Sequence, residues 1–192
     1  MLRFFGFLCA VGVAVTSVLA QEPSATQILF IAENDFGKVW ANTSLTIQRR
    51  TEAYLPIVVA VENKGTKPVT LDRSSFWLTD LDEIVYVMPT VKEQRKNYDK
   101  TVMDYRMISY AGIPWEGWRW NRRLELANFF PNLQARAGNT IMDRVTLRRR
   151  HAMVDLLYFE RPRDMDLNRP FFLEIHPKKG WEIPIRLRIV LN

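Results

Sequence analysis

The sequence predicts a mainly β fold, a single antiparallel β-sandwich of about eight strands with a helical insertion. Two observations carry this. From Tyr54 to Met88, three short runs rich in β-branched and aromatic residues are separated by Asn, Gly, Pro and Asp, as consecutive antiparallel strands are. At Pro89 the pattern changes to helical spacing, and after Gly138 the strand pattern returns.

Taken in order, residues 1–20 stand apart. Arg3 is followed by an almost wholly apolar run from Phe4 to Val15, and Val18-Leu19-Ala20 places small residues where a signal peptidase reads, which predicts cleavage after Ala20. The apolar run is short and wrongly flanked for a membrane anchor, which is the alternative. Leu8 and Phe7 before Cys9 argue against lipid attachment. The mature domain is expected to span 21–192.

Ile28 to Ile31 reads as a first strand and Asn34 to Gly37 as a turn. From Val39 to Gln48 the residues alternate, predicting a second strand with Trp40, Asn42, Ser44, Thr46 and Gln48 on its wet face and a formal glycosylation sequon at Asn42-Thr43-Ser44. Ile57 to Val61 is apolar on both parities, which predicts a central strand covered on two sides. Asn63 to Pro68 supplies a turn in which Gly65 is free to take positive φ. Val69 and Leu71, then Phe76 and Leu78, point inward, and Asp80-Leu81-Asp82-Glu83 makes an acidic turn before Ile84 to Val87.

Thr90-Val91-Lys92-Glu93 has the form of a capping box and opens a helix expected from Val91 to about Ser109, with Gly112 and Pro114 as its stop. Leu124 to Phe130 reads as a second short helix ended by Pro131. The insertion thus covers about 90–131. Beyond it, Ile141, Val145 and Leu147 alternate with polar residues, Arg148 to His151 is a basic turn, and Val154 to Phe159 is apolar. Phe171, Leu173 and Ile175 form another strand. Ile183, Ile185, Leu187, Ile189 and Leu191 then face one way in a final strand expected inside a sheet.

The chain of 192 residues is 47% hydrophobic and 25% charged, which is ordinary globular composition and argues against disorder. Cys9 is the only cysteine, so a mature chain would contain no disulfide, thiolate metal site or cysteine nucleophile. Losing residues 1–20 removes Arg3 and no acidic residue, lowering the formal charge from +6 to +5. This suits anionic envelope surfaces and is too weak to indicate nucleic acid.

Val59-Ala60-Val61-Glu62-Asn63, Pro68-Val69-Thr70-Leu71, Phe76-Trp77-Leu78-Thr79-Asp80 and Tyr86 form a phrase that resembles the immunoglobulin-like, telokin-like domains of secreted bacterial proteins. Ala137-Gly138-Asn139, Val145-Thr146-Leu147 and Tyr158-Phe159-Glu160-Arg161-Pro162 resemble the second half of that family. The resemblance covers somewhat over half of the mature chain and implies an immunoglobulin-like antiparallel β-sandwich. Asp82-Glu83 replaces the usual Asp-Gly, and 90–131 has no counterpart. The family has no active site to carry over.

His151 and Asp155 are four apart and His176 precedes Pro177, but no serine stands in a nucleophile-elbow context, so catalysis is not expected. Met103 and Met107 at i, i+4, with Met88, His151 and His176, would be the ligands of a copper carrier or enzyme, the alternative reading. Asp80, Asp82 and Glu83 lack the spacing of a calcium loop. The expectation is therefore no cofactor and no metal. Binding is the favoured class: Trp115, Trp118 and Trp120, interleaved with Arg119, Arg122 and Arg123, are residue types enriched at interface centres. The sequence thus predicts a non-catalytic secreted or periplasmic module that contacts a protein or an anionic envelope component through its insertion. A structural subunit of an envelope assembly is a further alternative.

Overall fold

The computed structural model describes residues 28–108, 123–125, 127–131 and 141–191. The chain is mainly β, with its strands in three sheets. β1 (Leu29–Glu33), β2 (Gly37–Asn42), β3 (Tyr54–Asn63), β9 (His151–Glu160) and β7 (Arg123–Glu125) lie side by side in that order. A second sheet has the order β11 (Ile185–Ile189), β10 (Phe171–Ile175), β5 (Phe76–Thr79), β6 (Val85–Tyr86). β4 (Val69–Asp72) pairs with β8 (Arg144–Leu147) as a two-stranded sheet.

The central strand is where its composition predicts it. All ten residues of β3 are buried, with β2 on one side and β9 on the other. Side chains of all three sheets meet in one core that includes Val58, Leu71, Phe76, Leu157, Phe171 and Leu187. Inward alternation holds in β4, β5, β8 and β10, where Val69, Leu71, Phe76, Leu78, Val145, Leu147, Phe171, Leu173 and Ile175 are buried. The turn at Asn34 is also as expected: its Oδ1 accepts the amides of Phe36 and Gly37.

Several expectations are corrected. The strand from Val39 stops at Asn42, and Ser44–Gln48 forms a short helix, α1. The side-chain oxygen of Asn42 accepts the Ser44 amide and turns the chain. Pro56, within β3, has no N–H to offer a continuing β2; the Thr46 hydroxyl of α1 instead donates to the Pro56 carbonyl at 2.5 Å. The supposed wet face is therefore buried at Trp40, Asn42 and Thr46, and Asn42, 2% exposed, offers no accessible glycosylation site.

The helix expected from Val91 is two helices, α2 (Val91–Asn97) and α3 (Thr101–Ile108), interrupted where Tyr98 turns extended to bury its ring. Ser109 and the proposed stop at Gly112 and Pro114 lie outside the described residues. Residues 123–125 are not helical but form β7, which runs parallel to β9, so the sheet is not purely antiparallel. β11 is an edge strand packed across β1 and β2, and Ile183 lies before it, exposed. Gly65 has ordinary φ; among the described residues, Glu83 and Arg150 are the non-glycine residues with positive φ. Among the described residues, no helix is long and apolar enough to cross a membrane.

Candidate functional site

The insertion begins as its sequence dictates. The Thr90 hydroxyl accepts the Glu93 amide, and the Glu93 carboxylate accepts the Thr90 amide, closing the capping box at the head of α2. Hydrogen bonds from Thr90 hold the Glu93 carboxyl below its ordinary range. Val91 and Gln94 face inward, while Lys92, Arg95 and Lys96 are exposed.

One turn later the insertion places a carboxylate in the interior. Asp104 of α3 is fully buried; its Oδ1 accepts Arg49 Nε at 2.8 Å, and its Oδ2 accepts the hydroxyls of Tyr98 at 2.5 Å and Tyr158 at 3.2 Å. Arg49 is the cap residue that ends α1, so that short helix positions the cation. Burial works against the Arg49 charge, but Asp104 outweighs it and holds the guanidinium pKa above its usual value. Burial, with Asp104 alongside, raises both tyrosines well above the usual phenol range. Around this group, Tyr54 and Tyr98 meet edge-to-face, as do Tyr158 and Tyr98, and Tyr158 and Phe130.

The exit of the insertion is anchored by a second buried carboxylate, this one from the framework. Asp155 in β9 accepts the Phe129 amide at 2.7 Å and the Leu156 amide at 2.8 Å, and the Tyr105 hydroxyl donates to it at 3.3 Å. Burial pushes its carboxyl up to about 6, against the lowering effect of these donors. Phe129 and Phe130 are completely buried, and Arg73 reaches the Phe129 carbonyl. Both flanks of the insertion are thus tied to β9 and its neighbours.

Of the residues expected to bind a partner, Trp115, Trp118, Arg119, Trp120 and Arg122 lie outside the described residues. Arg123 opens β7 opposite His151, and its side chain also lies outside them. The candidate metal ligands are separately employed. His151 Nδ1 pairs with Glu125 at 2.5 Å, while His176 pairs with Glu174 at 2.8 Å and stacks on Trp77 at 4.2 Å between ring centres. His151 and Asp155 are about 13 Å apart along one strand and do not form a dyad. Met103 is exposed, Met107 contacts Arg49 and Met88 is half-buried. Among the described residues, no group of three or more His, Cys, Asp or Glu is arranged to hold a metal ion.

The acidic turn is internally satisfied: Asp80 accepts the amides of Asp82 and Ile84 and the Tyr86 hydroxyl, and Asp82 pairs with Arg169. Burial, then the bond to Asp80, pushes the Tyr86 phenol up to about 12. Sequence reasoning missed Arg49, Asp104 and Tyr158 as a unit. For Asp155 a signal existed: a carboxylate inside the apolar run from Val154 to Phe159. No protein-family model matches the chain, and neither does a curated protein or a solved structure.

Proposed function

We propose that this chain is a non-catalytic, secreted or periplasmic binding module whose insertion contacts a protein or an anionic envelope component. In this reading the three sheets form an immunoglobulin-like sandwich, and residues 1–20 are removed as a signal peptide. The reading is supported by the two seats of the insertion. Asp104 with Arg49, and Asp155 with Phe129, consume two buried carboxylates to fasten the flanks of one segment. Taking carboxylates out of water costs free energy, and their use at both flanks fits a segment whose placement matters. The segment between the seats carries Trp115, Trp118, Arg119, Trp120 and Arg122, and Arg123 follows at the edge of the sheet.

The test is to express the full chain in a bacterial host, cross-link, purify it, and identify both the N-terminus and the attached partner. A start at Gln21 and a specific envelope partner are expected. Trp115→Ala/Trp118→Ala/Trp120→Ala and Arg119→Ser/Arg122→Ser/Arg123→Ser should each lose that partner while keeping the wild-type circular dichroism. Retention of the partner by both folded variants rejects the insertion as the contact.

A further inference from the structure

At the end of β3 away from Tyr54, one asparagine organises three turns. Asn63 is fully buried; its Nδ2 donates to the carbonyls of Lys67 and Leu147, and its Oδ1 accepts the Gly65 amide and Trp181 Nε1. Its main-chain carbonyl accepts the Arg150 amide at 2.7 Å. All four side-chain positions are used, which is the full capacity of the amide. The β3–β4 turn, the β8–β9 turn and the connection between β10 and β11 are therefore fixed together. Thr70 of β4 also exchanges main-chain bonds with Lys178 and Lys179 on one side and pairs with Thr146 of β8 on the other.

This arrangement lines up cations. Arg148, Arg149 and Arg150 leave β8, and Lys178 and Lys179 lie on the other side of β4, two strand spacings or about 10 Å across and roughly 7–13 Å further back along the strands. All five are exposed, and none pairs with a carboxylate among the described residues. Lys64 is bound to Glu33, Lys67 is 3.4 Å from Glu182, and Asp35 is an exposed carboxylate of the β1–β2 turn. The same connection that carries Lys178 and Lys179 also bears Ile183, 58% exposed, and Trp181, which lines an open pocket with Lys64 and Lys67.

We propose that this end of the molecule docks on an anionic lipid bilayer, a contact separate from the insertion. The five cations lie across neighbouring turns and do not converge on the pocket, which suits an extended array of headgroup phosphates more than one bound anion. Ile183, exposed on the same connection as Lys178 and Lys179, favours a bilayer over a soluble polyanion: an exposed aliphatic side chain gains by entering the interface and gains nothing from a polyanion in water.

The test is co-sedimentation of the full chain with phosphatidylcholine vesicles with and without phosphatidylglycerol, read as the excess over neutral vesicles. Binding is expected to need phosphatidylglycerol and to weaken with salt. Arg148→Ser/Arg149→Ser/Arg150→Ser should lower partitioning roughly a hundredfold, since each cation near such a surface is worth roughly fivefold. Ile183→Ser should lower it severalfold while leaving the salt dependence alone. Lys92→Ser/Arg95→Ser/Lys96→Ser removes the same charge from α2, where Asn97 bonds to Tyr54 at the other end of β3. That site is about 30 Å away along the strand, and binding should persist there. Equal loss in both triple variants, equal binding to neutral vesicles, or binding to soluble heparin without binding to vesicles would each overturn the proposal.

Discussion

Asp104 and Asp155 are both buried carboxylates at the seat of the insertion, and they differ in what balances their charge. Asp104 faces a guanidinium and two phenols, whereas Asp155 has two main-chain amides and one phenol but no cation among the described residues. The first is an ion pair whose halves come from distant elements, so it reports whether α1, α3 and β9 are assembled. The second is a lone carboxylate whose burial raises its proton affinity, so its contribution depends on pH.

The comparison can be broken most directly by truncation. Asp104→Ala leaves Arg49, half-buried, without its partner and strands two buried phenols, and is expected to cost about 3 kcal/mol or more in urea unfolding. Asp155→Ala strands amides and no charge, and should cost about 1–3 kcal/mol. Equal losses would show that the guanidinium is not what distinguishes the two.

The proton coupling sharpens the comparison. The folded-state value for Asp155, about 6, lies above its ordinary 3.8, so the native state holds the proton more tightly. The resulting stabilisation is complete below the ordinary value and is lost as pH rises through the folded one. Relative to Asp155→Asn, the wild type should therefore lose on the order of 3 kcal/mol between roughly pH 4 and pH 7. A difference that stays flat across that range rejects this assignment. The smallest effect belongs to the entrance of the insertion: Thr90→Ala removes the helix cap and should cost about 1 kcal/mol, with the unfolding slope unchanged.

How much of this could be read beforehand follows from where each signal resides. The strand of Ile57 to Val61 and the capping box of Thr90 and Glu93 are local patterns, and both stand where the residues place them. Alternation from Val39 to Gln48 misleads because Thr46 bonds across to Pro56, a partner ten residues away that periodicity does not register. Leu124 and Glu125 are good helix formers, yet β7 exists because β9 offers an edge, with Glu125 placed against His151. The Asp104 seat was illegible for the same reason: Arg49, Asp104 and Tyr158 come from three separate elements, and the sequence gives no sign that they meet.

The pairing of β3 with β9 also governs how the chain folds. Tyr54 lies opposite Glu160, and every residue of the insertion falls within the loop that this pairing closes. Closing so long a loop is slow, because chain entropy is lost before the contacts form. Until β9 arrives, β3 is an edge of ten residues with almost no charge, the kind of strand that other copies can extend. The loop-closure cost grows only logarithmically with length, so lengthening the insertion would slow folding little. Weakening β9 would instead prolong the interval in which β3 lies open to aggregation.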